Sequence, residues 1–403
     1  MESILSKIKS EYALYPKEVL AEVETHKKSL FIGIPKETDY QEKRIPLTPN
    51  SVAALVNYGF KIAIEKDAGE NANFSNEEYI EAGADIVYTK EDVFKADTIL
   101  KSGPVNPNEI TLLHSHQTIL SPILLPNQTK HMIKSMMEKR ITAIAFEYVK
   151  GDYNTYPFMR SMSEIAGNYA IMTAARYLSN EYGKGILLGG IAGQPPAKVM
   201  ILGAGTVGEA AARAALSLGA SVQVFDDNVY RLSRLQADLN NKIYTSVMDP
   251  INVLKNISRA HVVIGALKPK NGKTPRVVTE DMVRSMKKGS VIIDVSIDHG
   301  GCFETSMVTN HNEPVYTRHD VIHYCVPNIA SNVSRTASYA LSNILSPILK
   351  NAAQAGGIEP LLKYDDGLRH GAYLYKGALT KEFIAQKFDL KFTDLELLLS
   401  ADF

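Results

Sequence analysis

The run SVIIDVSIDHGG, residues 290–301, sets a carboxylate, an imidazole and two glycines directly after an apolar stretch. Val291, Ile292, Ile293 and Val295 read as a strand buried on both faces, and a carboxylate at its end, Asp298, is costly unless something uses or pairs it. Ligands of open parallel sheets bind outside the carboxyl ends of strands, so Asp298 is a candidate for a site. The alternative is a turn cap, with Gly300 and Gly301 serving the backbone geometry. A second candidate comes from LLHSHQT, which reads as a short strand carrying His114 and His116 on one side. An imidazole there could exchange protons near neutral pH or be structural. Two histidines at this spacing could also hold a metal, but no matching third ligand stands out. Arg44, in the polar loop YQEKRIPLTP, has the planar fork that suits a carboxylate, although an arginine in a loop is commonly just solvated.

The clearest signal is KVMILGAGTVGEAAARAALSLGASVQVFDDN. It reads as a strand (Val199–Leu202), a Gly203-x-Gly205-x-x-Gly208 turn, a helix from Glu209 and a second strand ending at Asp226. Gly203 permits the tight turn, Gly205 admits a pyrophosphate close to the backbone, and Gly208 lets helix and strand pack closely. Thr206 and Val207 lie at the helix start, where free N–H groups face phosphates. Asp226 is placed to accept hydrogen bonds from the adenosine ribose and to repel a 2′-phosphate, which favours NAD over NADP. Arg231 is near enough to stack on adenine or meet a phosphate.

These residues need a frame to position them. The chain has 403 residues, more than one core usually organises. Strands alternate with helices from LFIGIPKE to ITAIAFEYV and again from Lys198 to about Val326, implying α/β architecture with parallel sheets. We expect two Rossmann-like domains, each a mostly parallel sheet flanked by helices. A substrate domain comprises residues 1–160 plus 335–403, and an NAD-binding domain comprises 161–334. Long helices at 163–182 and 335–355 join them beside a cleft. Thr48-Pro49 marks a helix start, and Ser161–Glu164 has capping-box spacing. Residues 3–27 read as an amphipathic helical arm.

Lys plus Arg and Asp plus Glu both number 44, so the chain carries no footprint for nucleic acid or an anionic membrane. No apolar run approaches the ~18 residues needed to span a bilayer, the N-terminus does not read as a signal peptide, and Cys302 and Cys325 are too few for a disulfide framework. A cytoplasmic protein acting on a small molecule is the expectation.

Together IGIPKET…EKRIPLTP, MSEIAG, GILLGGIAG, ILGAGTVG, DVSIDHGGCFETS and HYCVPNIASNVSRTASYALSN resemble the alanine dehydrogenase family, to which the soluble part of proton-pumping transhydrogenase is related. The likeness covers roughly residues 30–375, and GGCFETS and YCVPN favour the alanine dehydrogenase branch. It implies reversible NAD-dependent oxidative deamination of L-alanine to pyruvate and ammonium, in a homo-oligomer such as a dimer or hexamer. It implies that Arg44 holds the substrate carboxylate, that His116 and Asp298 are acid/base groups, and that Ser163, Asp226, Arg231 and Asn328 contact the cofactor.

Two departures stand out. Where the family shows Lys-x-Lys-Glu-Pro, this chain reads Lys101-Ser102-Gly103-Pro104, so the second lysine, a substrate contact, is absent. Lys101 lies about 6–7 Å back along an extended strand and could stand in, or the substrate is not alanine. In the loop after VPN, Ser331, Asn332 and Ser334 replace prolines. A saccharopine dehydrogenase-like enzyme, a transhydrogenase-like partner-dependent subunit and a non-catalytic NAD-binding protein are the competing expectations.

Overall fold

A computed structural model of the chain describes residues 29–39, 41–240, 242–269 and 273–401. The expected N-terminal arm, residues 3–27, lies outside the described residues. Among the described residues fifteen strands form two sheets. The first contains β1 (Phe31–Ile34), β2 (Lys61–Glu65), β3 (Asp85–Val87), β4 (Thr98–Leu100), β5 (Thr118–Ser121), β6 (Thr142–Ala145), β14 (Ala372–Tyr375) and β15 (Ala378–Leu379), in the order β15-β14-β6-β5-β4-β1-β2-β3. The second contains β7 (Lys198–Leu202), β8 (Ser221–Asp226), β9 (Tyr244–Val247), β10 (Val262–Gly265), β11 (Val291–Asp294), β12 (Val315–Arg318) and β13 (Val321–Tyr324), in the order β12-β13-β11-β10-β7-β8-β9. Pairing is parallel except at β14 with its two neighbours and between β12 and β13. Two mostly parallel sheets flanked by helices therefore make up the protein, and their central strands are apolar on both faces, as parallel strands covered by helices must be.

Helices α1 (Pro49–Asn57), α2 (Pro107–Leu112), α3 (Lys130–Glu138), α4 (Pro157–Leu178), α5 (Thr206–Ser217), α6 (Val229–Asp238) and α7 (Ser334–Ala355) matter for the site. Helix α4 belongs to both cores. At its start Phe158 stacks on Phe146 of the first core with centroids 4.5 Å apart. Further on, Ala166, Ala170, Ile171 and Ala174 lie in the second core. Gly167 permits that crossing, because a Cβ there would stand 2.4 Å from the Val207 carbonyl of α5.

Three local expectations are corrected. Ser161 does not cap a helix: α4 begins a turn earlier at Pro157, which sits at the helix start where its fixed φ and missing N–H are harmless, and Ser161 bonds back to the Phe158 carbonyl. ITLLHSH, which carries the two histidines expected on a strand, is not one. Its first half is α2, started by an Asn106–Glu109 capping box and ended where Lys139 Nζ takes the carbonyls of Ile110, Thr111 and Leu113. Finally, β11 ends at Asp294, and Asp298 sits on the following 3-10 turn, Val295–His299.

Candidate functional site at the boundary of the two sheets

The loop after β1 carries Glu37, Glu42 and Arg44. Lys36 N–H donates to the Glu65 carboxylate (2.7 Å), which fixes the loop's root on β2. Serine hydroxyls of the C-terminal part of the chain fix the rest. Ser331 Oγ accepts from Lys43 N–H (3.1 Å), Ser338 Oγ from Ile45 N–H (2.9 Å) and Ser342 Oγ from Thr48 N–H (3.1 Å). Ser338 and Ser342 are one turn apart on α7, so one helix face holds an extended segment.

Arg44 donates Nε to Glu42 Oε1 (2.7 Å) and Nη2 to Glu42 Oε2, with Nη1 on Met162 Sδ at 3.1 Å. A guanidinium has five N–H groups, so one on each of Nη1 and Nη2 remains for a further acceptor. Burial would raise the Glu42 carboxyl, but Arg44, beside it and bonded to it, holds it below the ordinary carboxylate range.

Glu42 also receives Asn328 Nδ2 (3.0 Å) and Ser331 Oγ (2.8 Å) from the second sheet's side. Asn328 adopts a left-handed backbone (φ 52°), which asparagine tolerates better than most residues. Its N–H donates to Asp298 Oδ1 at 3.0 Å. A continuous chain thus runs Arg44–Glu42–Asn328–Asp298 across the boundary. The Asp298 side chain opens to solvent there. Crowding by protein on its other sides raises its carboxyl, and Asn328 N–H, His299 and Arg44 pull it back. The loop's three polar replacements are all bonded: Ser331 as above, Asn332 to Tyr324 Oη (2.9 Å) and Ser334 to the Asn71 carbonyl (2.7 Å). Hydrogen bonds supply the stiffness that prolines would otherwise give.

Asp294 holds the turn that carries Asp298. Buried at the end of β11, it accepts from Ser296 N–H (3.0 Å), Cys302 N–H (2.9 Å) and Ser306 Oγ (2.7 Å), pinning the segment at both ends. In Asp294→Asn one oxygen becomes a donor facing donors in either flip. The expected result is a loss of about 1–3 kcal/mol, read as a lower urea midpoint, together with a fall in kcat.

Lys101 does not reach this chain. Its ammonium is enclosed between Glu37 Oε2 (2.8 Å) and Glu109 Oε1 (2.9 Å), and its side chain is 2% exposed. Glu37 Oε1 meanwhile accepts from Ser102 N–H (2.8 Å) and Gly103 N–H (2.9 Å). A Cβ at Gly103 would stand 3.0 Å from Glu37 Oε2, so this carboxylate fills the direction in which a longer residue would grow. His116 is also not brought to the site. It precedes β5 in an exposed turn at φ 67°, its N–H on the Lys139 carbonyl (3.0 Å), so it lies at the opposite end of β5 from the boundary.

Groups missed in the sequence stand nearer. Glu42, two residues before Arg44 in an extended loop, was recoverable from i, i+2 spacing. Glu147, just past β6, accepts from Ile123 N–H (3.0 Å) and Leu124 N–H (2.8 Å) and is raised by burial. His311 N–H reaches Gln41 Oε1 (2.7 Å), and its enclosed ring stands beside Lys43, Glu42 and Asn332, with burial and Lys43 lowering it.

The glycine loop has the geometry a dinucleotide needs. Gly203 has φ 113°, and a Cβ there would stand 2.4 Å from the Ala266 carbonyl. A Cβ at Gly208 would stand 1.9 Å from the Gly203 carbonyl, whereas one at Gly205 would meet nothing within 4 Å. The open space therefore lies at the N-terminus of α5, where Thr206 and Val207 leave N–H groups free. Asp226 Oδ2 accepts from Ala204 N–H (2.7 Å) and Oδ1 from Asn228 N–H (2.8 Å), with Arg231 Nη1 at 3.8 Å. Ser163 lies on α4 one turn before Gly167, where α4 meets the start of α5.

Residues 33–166 match the family description "Alanine dehydrogenase/PNT, N-terminal domain", and residues 170–382 its C-terminal counterpart. The chain is 38% identical over 370 residues to an alanine dehydrogenase of Methanococcus maripaludis, covering 91% of this chain and 99% of that one. It is 36% identical over 373 residues to an alanine dehydrogenase of Staphylococcus haemolyticus, covering 92% and 100%. Among solved structures, an L-alanine dehydrogenase superposes with a TM-score of 0.84 at 35% identity, covering 89% of this chain and 99% of that chain. A transhydrogenase from Sinorhizobium meliloti gives 0.75 at 25% identity, covering 88% and 99%.

Proposed function

The chain belongs to the alanine dehydrogenase/PNT family, and from that premise we propose that it is an NAD-dependent oxidoreductase that reversibly deaminates L-alanine to pyruvate and ammonium. The observation that supports the reading is the Arg44–Glu42–Asn328–Asp298 chain, which brings a guanidinium and a carboxylate to the boundary at the carboxyl ends of both sheets.

Gly203, Gly205, Thr206, Val207 and Gly208 hold the pyrophosphate, Asp226 and Arg231 the adenosine end, and Ser163 and Asn328 complete the cofactor contacts. Bound NAD supplies the hydride acceptor. Arg44 uses its two remaining N–H groups to hold the substrate carboxylate, and Glu42 keeps the guanidinium from turning. That fixes the Cα–H in one direction, where positioning lowers the barrier most. Asp298 takes the proton that the ammonium or the adding water must lose. Lys101 acts on the substrate only through Glu37. The substrate is a small molecule, and no helix among the described residues is long and apolar enough to cross a membrane.

NADH formation at alkaline pH from a panel of amino acids tests the reading. Turnover with L-alanine is expected. Tight NADH binding without turnover of any amino acid would refute the catalytic reading, and a clear preference for a larger amino acid would reassign the substrate. In the same assay Arg44→Lys should raise KM for alanine roughly 10–100-fold, the loss of about 1.5–3 kcal/mol expected when a charged bidentate contact goes, with a smaller effect on kcat.

A further inference from the structure

At the end of the second sheet remote from the site, four basic side chains crowd together. His261 stands just before β10. Its ring Nδ1 accepts the Lys198 N–H at 2.9 Å, while its own N–H donates to the Lys198 carbonyl at 2.9 Å. The ladder fixes that backbone donor, so Nδ1 is the acceptor nitrogen and a neutral ring carries its proton on Nε2. Nε2 faces Lys287 Nζ at 3.1 Å. An ammonium there would set N–H against N–H, whereas a neutral amine accepts the Nε2 proton and leaves both groups satisfied.

The surroundings weaken the ammonium relative to an ordinary lysine. Burial and the charges of Lys184 and Lys198 hold the Lys287 ammonium below its ordinary range, and burial with Lys287, Lys184 and Lys198 does the same to His261. Lys184 packs over Gly289, where a Cβ would stand 2.9 Å from its Cγ. The carboxylate of Asp320 is taken by Lys288 at 3.0 Å, and those of Glu280 and Asp281 by Arg284 at 3.0 and 3.9 Å. Lys287 is partly exposed, so a small reagent can reach it.

We propose that Lys287 is a nucleophilic amine and a site of acylation by small anionic acyl donors, of which acyl phosphates are the type. The Nζ lone pair attacks the acyl carbon, the carbon–oxygen bond to phosphate breaks, and phosphate leaves with the bonding pair and takes the proton released by the amine. Lys184 and Lys198 face the departing dianion. The new amide has a carbonyl oxygen that can accept from His261 Nε2.

Lys288 is the internal control. Its side chain is 83% exposed, against a partly buried Lys287, but it is ion-paired. The full chain would be treated with acetyl phosphate between pH 6 and 9, and occupancy at both lysines followed by mass spectrometry of peptides cut at acidic residues. An ordinary lysine is only about 0.04% neutral at pH 7, and each unit of lowering multiplies that roughly tenfold. The expected result is therefore acetylation of Lys287 at least about tenfold faster than Lys288, with its rate levelling at lower pH. Lys184→Gln combined with Lys198→Gln should shrink that ratio several-fold. A neutral acetylating ester separates amine reactivity from anion recruitment, and the preference for Lys287 should persist with it. A ratio near one, a ratio unchanged in the double variant, or a preference lost with the neutral ester would each overturn the proposal.

Discussion

Replacing Lys101 with methionine is expected to cost the protein about 3–5 kcal/mol of stability, the range for removing one partner of a buried ion pair. Glu37 would lose its only ammonium partner among the described residues and keep two backbone N–H groups. Glu109 would keep Lys90 at 3.1 Å, so most of the loss falls on Glu37. Burial already raises the Glu37 carboxyl, and Lys101 and Gly103 N–H pull it back. Without Lys101 the raising is less opposed. A carboxyl raised in the folded state binds more protons folded than unfolded, so stability falls as pH climbs from the unfolded value, about 4.3, through the folded one. The Lys101→Met deficit should therefore be largest near neutral pH and shrink on acidification. Adding Glu37→Gln should recover much of it, since the amide removes the stranded charge. Urea midpoints at pH 7 and 5 decide the matter. A stability loss under about 1 kcal/mol with a raised substrate KM would make Lys101 a substrate contact instead of a counter-ion.

The same residue marks how far the sequence could be read. Spacing along β4 puts Lys101 near the right strand end, but Glu109 approaches from α2, whose last residue, Leu112, opens the stretch LLHSHQT that reads as a strand. Two cues for the helix were present in the chain, Pro107 at a helix start and the Asn106–Glu109 box; apolar Leu112 and Leu113 suit strand or helix equally. Lys139 closing α2 from a distant helix end is a tertiary contact that no local pattern reveals. Misreading α2 also misplaced His116, which a strand would have carried forward and the actual turn leaves behind. The glycine loop was legible because backbone sterics alone dictate it, as Gly203 and Gly208 show. The serine contacts from Ser331, Ser338 and Ser342 were not, because small polar residues on a helix carry no signal until a segment some 290 positions away lies against them.

Asp298→Asn is expected to lower kcat for alanine deamination by roughly 10²–10⁴-fold, the usual contribution of a positioned acid or base. Asparagine is the informative choice. Its carbonyl can still accept the Asn328 N–H that Asp298 Oδ1 now receives at 3.0 Å, so the link between the two loops survives and the loss reports proton transfer. Alanine at this position would break that link and confuse the two. The raised carboxyl adds a pH signature. The base must be ionised to act, so activity should climb with pH through a value above the ordinary carboxylate range of about 3.9, and this acid limb should vanish in the asparagine variant. The limb belongs to the whole group of interacting charges, because Arg44 sits in the field of Asp298, Glu42 and Glu37. Removing Arg44 should therefore move the limb to higher pH, since a favourable charge is lost from beside the carboxylate. A variant that keeps its rate within about threefold and its acid limb intact would remove Asp298 from the chemistry and leave Glu37 or Glu147, both carboxyls raised by burial in the segments that follow strands, as the groups to test next.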